Sequence, residues 1–332
     1  MSVALILWCY AAVLATVGAT TLRRAGWTDR APRLAIAAWQ ALSLSIVLAT
    51  VFGSLALAVP IPQVSANLAE LVESCAMAVQ ARYATPGGAT LATGGLVLAA
   101  LIAVRGVYCS MLEFSHSAAV RRRHRETLAL VGRAAEDTGV TLLDDDRPYV
   151  YCVAGRRHRI VMTTGAHTRL ERAQLDAVLA HERAHLRERH HLALAAAAAL
   201  VRAFGWLWAF RVARDEVTRL VELSADDAAS RTEHRLSLAE AMLTLSAGAP
   251  PSGTLAATGS TTATRIRRLI TGHRPLAAWT GALGMTSALA LVVAPLIALA
   301  TPAMTAGPDC CGNEPARFAA ADECAAVNRD CW

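Results

Sequence analysis

Charge is scarce in this sequence: Asp, Glu, Lys and Arg make up 17% of its 332 residues, and aromatic residues only 5%. Set against 55% hydrophobic residues and a mean hydropathy of +0.38, that scarcity excludes a disordered chain and an ordinary water-soluble domain. An apolar excess of this size needs a non-aqueous place to go. Lysine is absent, so all 32 basic residues are Arg. No Gly-rich nucleotide loop and no Ser-hydrolase elbow occur. Cysteine numbers only 8, too few for a disulfide-dense mini-protein.

The apolar residues fall in four long blocks, near Val3 to Thr20, Leu34 to Pro60, Leu91 to Cys109 and Leu276 to Thr301. Each is long enough to cross about 30 Å of hydrocarbon as a helix. No Arg precedes the first block, whereas a secretory signal wants a basic leader, so this block reads as a retained span. The loop after it carries Arg23, Arg24, Arg30 and Arg33 against Asp29, which places it in the cytoplasm and the amino terminus outside. The loop at 61–90, with Glu70, Glu73 and Arg82, suits the outer face. Arg121, Arg122, Arg123 and Arg125 follow the third block, and Arg265, Arg267, Arg268 and Arg274 precede the fourth, so both flank the inner side. Arginines that anchor spans account for the net charge of +6 without a nucleic-acid partner, and no direct nucleic-acid binding is expected. The expected organisation is three spans in 1–112, a cytoplasmic domain in 113–275, a fourth span in 276–301 and an extracytoplasmic Cys-rich tail in 302–332. The termini then lie outside a cell membrane crossed several times, with the lipid bilayer as a partner.

Four cysteines crowd that tail: Cys310, Cys311, Cys324 and Cys331. Outside the cell disulfides persist, and because adjacent Cys310 and Cys311 would make a strained pair, each is expected to bond Cys324 or Cys331. A metal clip is the alternative, though no His accompanies them. Cys75 is an odd thiol, and Cys152 reads as a buried strand cysteine.

In 113–275, a helix is expected to continue from the third span through Arg133 and stop near Gly139. A hairpin follows, Tyr149 to Ala154 and His158 to Thr163 around Gly155. A helix over Thr168 to His191 opens on a capping box of Thr168 with Glu171 and keeps a helical period through Leu175, Val178, Leu179 and Leu186. Within it stands His181-Glu182-Arg183-Ala184-His185. Imidazoles four residues apart share a helix face and can grip one zinc, with Glu182 beside the metal's open position. Two residues compete as third ligand. His191 has the metzincin spacing, but that class turns its chain with a glycine where this one has Glu188. Glu222, one helical turn before Asp226 on a second helix, lets Asp226 accept the other N–H of a ligand imidazole. Glu222 is the choice, and His190 and His191 are read as solvated or interfacial. The apolar stretch Leu192 to Phe210 cannot be a single crossing, since His181 and Glu222 must share one zinc. A two-pass hairpin would need about 40 residues, so the stretch is expected against or within the inner face, with Trp206 and Trp208 at interfacial depth; an ordinary core helix is the alternative.

These blocks, Val178 to Leu186, the hairpin before them and Glu222-Leu223-Ser224-Ala225-Asp226 after them, resemble the membrane-embedded gluzincin peptidases. Among these are the HtpX-type quality-control proteases and, more similar in span arrangement, the BlaR/MecR-type antirepressor peptidases. Thr264-Arg265-Ile266-Arg267-Arg268-Leu269 resembles an Arg-Ile-containing segment of both. The resemblance implies a mainly α membrane protein with four transmembrane helices and a cytoplasmic α+β zincin-like (gluzincin) peptidase domain. It further implies one Zn2+ per chain held by His181, His185 and Glu222, with Glu182 catalytic and Asp226 behind the ligands. The BlaR/MecR-type receptors carry a penicillin-binding domain after the last span; here residues 302–332 follow, with no Ser-x-x-Lys nucleophile, and direct beta-lactam acylation is not expected. The implied reaction is peptide-bond hydrolysis of a protein substrate such as a cytoplasmic transcriptional repressor, or of the chain itself, with an extended peptide added beside Ile160 to Thr163. Quality-control cleavage of membrane proteins and a non-catalytic receptor that keeps the metal structurally are the alternatives.

Overall fold

A computed structural model describes residues 2–58, 87–134, 140–155, 158–231, 234–246, 255–272 and 276–305. Among the described residues, four helices are long and apolar enough to cross a membrane: Val3–Arg24, Pro32–Ala58, Gly88–Val131 and Trp279–Ala298. The first comprises α1 (Ser2–Val13), a π-helical turn at Leu14–Gly18 and α2 (Ala19–Arg24). α3 (Pro32–Ala58) is the hub and packs against α1, α4 (Gly88–Val131) and α11 (Ala278–Thr305). Where α3 and α4 cross, a Cβ on Gly95 would sit 2.5 Å from the Ser54 carbonyl oxygen, so the approach requires glycine. Pro295 in α11 has no N–H to offer the carbonyl of Leu291, four residues back. Ser45 Oγ at 2.7 Å and Tyr10 Oη at 3.1 Å donate to that oxygen instead. Among apolar helices with no water at hand, hydroxyls from neighbouring helices satisfy the freed carbonyl.

α4 is 44 residues long, about 66 Å at the helical rise, and the boundary expected between 112 and 113 falls inside it. It ends at Val131, where the Gly132 N–H bonds the Leu128 carbonyl at 3.0 Å. That is short of the expected stop; Gly139 lies outside the described residues. The chain after it enters a sheet only half of which the sequence pattern revealed. Its strands are β1 (Arg133–Ala134), β2 (Val140–Leu143), β3 (Val150–Val153) and β4 (Arg159–Thr163), in the order β1-β2-β4-β3. The expected hairpin is β3 and β4, antiparallel with Cys152 opposite Ile160. Because β2 pairs β4 in parallel and β3 pairs it on the other side, β4 is interior and has no edge to offer. The outer strands are β1 and β3, so the expected strand addition beside Ile160–Thr163 has no free edge there.

After β4 come α5 (Thr164–Arg169), α6 (Arg172–Arg187), α7 (His190–Phe204) and α8 (Trp208–Ala229), then α9 (Arg235–Ser246) and α10 (Leu255–Thr271). Thr168 belongs to α5. The capping box of α6 is Glu171 with Gln174 rather than Thr168 with Glu171, because Thr163, not Thr168, caps the helix before it: its Oγ accepts from the Ala166 N–H at 3.2 Å. Leu175, Val178 and Leu179 of α6 bury against Ile160 and Met162 of β4 and against Leu238 of α9, which seats α6 across the sheet.

The stretch 192–210 is a helical hairpin inserted among the long helices. At its tip Phe204, Trp206, Leu207 and Phe210 line one small cavity together with Ile46, Val47 and Thr50, midway along α3, and Ile102 of α4. Arg105 of α4 donates to the Ala203 carbonyl at 2.6 Å, a cation at the negative end of α7. Because the hairpin goes in and comes back, the residues before α7 and those late in α8 return to one level. The tail cysteines and Cys75 lie outside the described residues.

Candidate metal centre and active site

α6 and α8 meet through Ala184, Ala225 and Ala228, all buried, and these small side chains let the two helices approach closely. The contact brings together His181 and His185 from α6 with Glu222 from α8, whose ligand atoms all lie within 4.8 Å of one another. The two Nε2 atoms are 3.0 Å apart, and each lies 3.7 Å from a Glu222 carboxylate oxygen. Two donors on one tetrahedral zinc at ordinary bond lengths sit about 3.3 Å apart, so the spacing fits a single zinc. Two imidazoles and one carboxylate also leave a fourth position open, the pattern of a catalytic rather than a structural site. His191 is not among the converging residues.

Behind the ligands, His181 Nδ1 lies 3.1 Å from Asp226 Oδ1, so the second carboxylate of the α8 pair holds the imidazole with Nε2 facing the centre. Asp226 is 1% exposed, and its charge is met by Arg265 from α10, which donates to both carboxylate oxygens at 2.8 Å. Arg265 Nη1 also lies 2.8 Å from Glu222 Oε2. Sequence reasoning reached Arg265 only as one of the arginines flanking the fourth span and as part of a resembling segment; it stands 39 residues from Asp226, and no helical period marks it. The signal that could have found it is the acid excess itself, since a buried pair of carboxylates calls for a fixed cation.

The electrostatics follow from this packing. Burial pushes the His181 pKa down, but hydrogen bonds to Asp226 and Glu222 outweigh it and raise the value to about 9 in the metal-free site. Burial lowers His185 to about 4, helped by the positive charge on His181. Burial raises Glu222, yet its bond to His181 and the Arg265 charge win and hold it near about 2. Glu182 goes the other way: burial raises its pKa above the ordinary carboxylate value, against the pull of His181. A carboxyl beside an open metal position is placed for proton transfer. The Cys152 thiol on β3 is pushed up by burial and by the adjacent Glu182 carboxylate, so it is an inert neighbour rather than a nucleophile.

His190 departs from expectation. It is 4% exposed, not solvated, and its Nδ1 lies 3.0 Å from His185 Nδ1. The reason is the backbone at Arg189, whose φ of 53° turns the chain sharply between α6 and α7 and sends His190 back toward the site.

Residues 115–271 match the model of Peptidase family M48. The match covers the sheet, both ligand-bearing helices and Arg265, and it supports a zincin-type metallopeptidase. No curated protein and no solved structure matches the chain. Within the M48 segment the metal-type triad, the raised Glu182 and the outer strand β3 stand together, and a peptidase implies protein substrates.

Proposed function

We propose that the chain is a membrane-bound zinc metalloendopeptidase working at the cytoplasmic face, with His181, His185 and Glu222 as metal ligands and Glu182 as the proton-transfer residue. The observation that carries this is the convergence of the three ligand atoms beside a carboxyl whose pKa is raised. When bound, zinc would polarise the scissile carbonyl and lower the pKa of a water at the open position to about 7. Glu182 takes the proton from the attacking water and returns it to the leaving amine. Asp226 keeps His181 in the tautomer that binds metal, and Arg265 keeps both α8 carboxylates ionised. An extended peptide would add as a strand to β3, whose Cys152 neighbours Glu182, placing a main-chain carbonyl near the centre.

The arginines flanking the apolar helices support the cytoplasmic placement, and with it 113–275 as the peptidase domain between the third and fourth spans. Among membrane gluzincins the span arrangement favours the BlaR/MecR type, hence signal-dependent cleavage of a transcriptional repressor or of the chain itself over quality-control proteolysis. A receptor that merely stored the metal would have no use for a raised Glu182. In cells, repressor or self cleavage is expected to stop in Glu182→Gln. Purified, this variant should keep its zinc and lose hydrolysis by about 100-fold to 10,000-fold, whereas Glu222→Ala should lose the zinc. Equal hydrolysis by wild type and Glu182→Gln would end the enzymatic reading.

A further inference from the structure

The two imidazoles of the centre are held from behind in different ways. His181 leans directly on a carboxylate, whereas His185 leans on a second imidazole. A neutral His185 that offers Nε2 to the centre carries its proton on Nδ1, and the atom facing it at 3.0 Å is Nδ1 of His190. His190 then bears its own proton on Nε2 and donates it to Glu188 Oε2 at 3.1 Å. The same oxygen accepts from Ser224 Oγ on α8 at 2.6 Å and from Arg33 Nε at 3.0 Å, while Arg33 Nη2 meets Oε1. Every donor in the chain has an acceptor and all point one way, from the centre toward Glu188. The rings of His185 and His190 meet edge-on, with centroids 4.9 Å apart at 83°, which leaves His185 little freedom to turn.

The far end of this chain is not in the peptidase unit. Arg33 lies in the first turn of α3, an apolar helix 27 residues long that packs against α1, α4, α8 and α11. The left-handed backbone at Arg189 lets the side chains on either side of it, Glu188 and His190, meet each other, and such a conformation in a non-glycine residue is held only by well-fixed surroundings.

We infer that His190 and Glu188 are positioning residues for His185, and that Arg33 ties this ligand to α3, so a shift of α3 is felt as a change in metal affinity. The inference rests on the zinc reading of the site. An imidazole between ligand and carboxylate does what a direct carboxylate does for His181, and adds reach to an anchor outside the domain.

The test is zinc affinity of the full-length protein in detergent, by competition with a chromogenic chelator, alongside the visible spectrum of the Co2+-loaded protein. His190→Phe and Glu188→Ala are expected to weaken zinc by about 10-fold to 100-fold and to shift the Co2+ bands. His190→Gln offers an amide oxygen and an amide N–H where the imidazole offered acceptor and donor, and is expected to restore affinity to within about threefold of wild type. Arg33→Ala, whose side chain is 55% exposed, should weaken zinc by about threefold to tenfold. Combined with His190→Phe it should add nothing, since both cut one chain. Wild-type affinity in His190→Phe, or multiplying losses in the double variant, overturns the inference. Should His190→Phe fail to melt cooperatively, unchanged affinity in Arg33→Ala overturns it alone. Wild type that binds no zinc, or binds it equally in His181→Ala, overturns the zinc reading itself, a result distinct from either.

Discussion

Replacing Arg265 by methionine, which keeps most of the volume and removes the charge, is expected to be the costliest single change outside the metal ligands. The guanidinium is 16% exposed and makes two hydrogen bonds to Asp226 and one contact to Glu222, all at 2.8 Å. Charge-assisted bonds contribute about 1.5–3 kcal/mol each, so three amount to roughly 4.5–9 kcal/mol before compensation. Compensation is unequal. Glu222 is 36% exposed and regains water, whereas Asp226 at 1% exposure is left as a buried charge with only His181 to meet it. That brings the net into the range of about 3–5 kcal/mol found when one partner of a buried pair is removed. For a unit of this size each kcal/mol moves the midpoint by about 2–4 °C, so the metal-free variant should melt roughly 6–20 °C below wild type. Tryptophan fluorescence of detergent-solubilised protein, with 7 tryptophans to report, measures this in the presence of a chelator. Excess zinc should narrow the gap, because a cation returns to Glu222, but should not close it, because Asp226 stays uncompensated. A metal-free midpoint within about 3 °C of wild type would show that Arg265 is not holding the pair.

Arg189→Gly is expected to raise stability by about 0.5–1 kcal/mol, since φ is 53° there and only glycine adopts it without strain; a lower denaturation midpoint would contradict this. Hydrogen bonds from His190, Arg33 and Ser224 outweigh burial and lower Glu188 from 4.5 to about 2. Its stabilisation is therefore full above about pH 4.5 and is lost as pH falls from there toward 2. Glu188→Gln should flatten that part of the acid-stability curve, and an unchanged curve would count against the assignment. His181, at about 9 in the metal-free site, must give up a proton to bind zinc, whereas His185, at about 4, is already neutral near pH 7. Titration calorimetry in buffers of different ionisation heat should detect about one proton released per zinc near pH 7, with affinity rising toward pH 9; no release would refute the charged His181.

What the sequence made legible is what local periodicity and composition encode. The four long apolar helices follow from hydropathy, and the α6 and α8 constellation follows from residues spaced by one helical turn, which must share a face. The β3 and β4 hairpin was legible from its β-branched run. β1 and β2 were not, since four residues from Val140 with no alternation carry too little pattern, and their pairing with β4 is a tertiary fact. This is also why Ile160–Thr163 reads as an edge in the sequence: an edge is defined by what pairs beside it, and β4 is paired on both sides. His190 reads as solvated or interfacial in the sequence, and nothing local announces the left-handed turn at Arg189 that carries it inward. The inserted hairpin 192–210 was half legible. The demand for one zinc site ruled out a crossing, but length alone could not separate a helix lying on the inner face from a hairpin reaching midway along α3.

The short turn between α2 and α3 joins these observations. Its arginines count as markers of the inner side by composition, yet its residues are spent on specific contacts. Asp29 Oδ1 accepts from Arg219 of α8 at 2.6 Å, and its main-chain oxygen accepts from Arg268 of α10 at 2.7 Å. Arg268 in turn holds Asp227 at 2.5 Å, and Arg33 holds Glu188 at the end of α6. The turn and the first turn of α3 therefore together touch each element that supplies the centre: α8 with its two carboxylates and α10 with Arg265 through Asp29, and the end of α6 through Arg33. Surface ion pairs taken singly contribute little, but here they converge on one segment whose two ends continue into long apolar helices. The hairpin tip, packed against the middle of α3, gives the same helices a second grip on α8. A peptidase module joined to its apolar helices by a flexible linker would have neither grip; this one is fastened at both the root and the tip of the segment that carries Glu222.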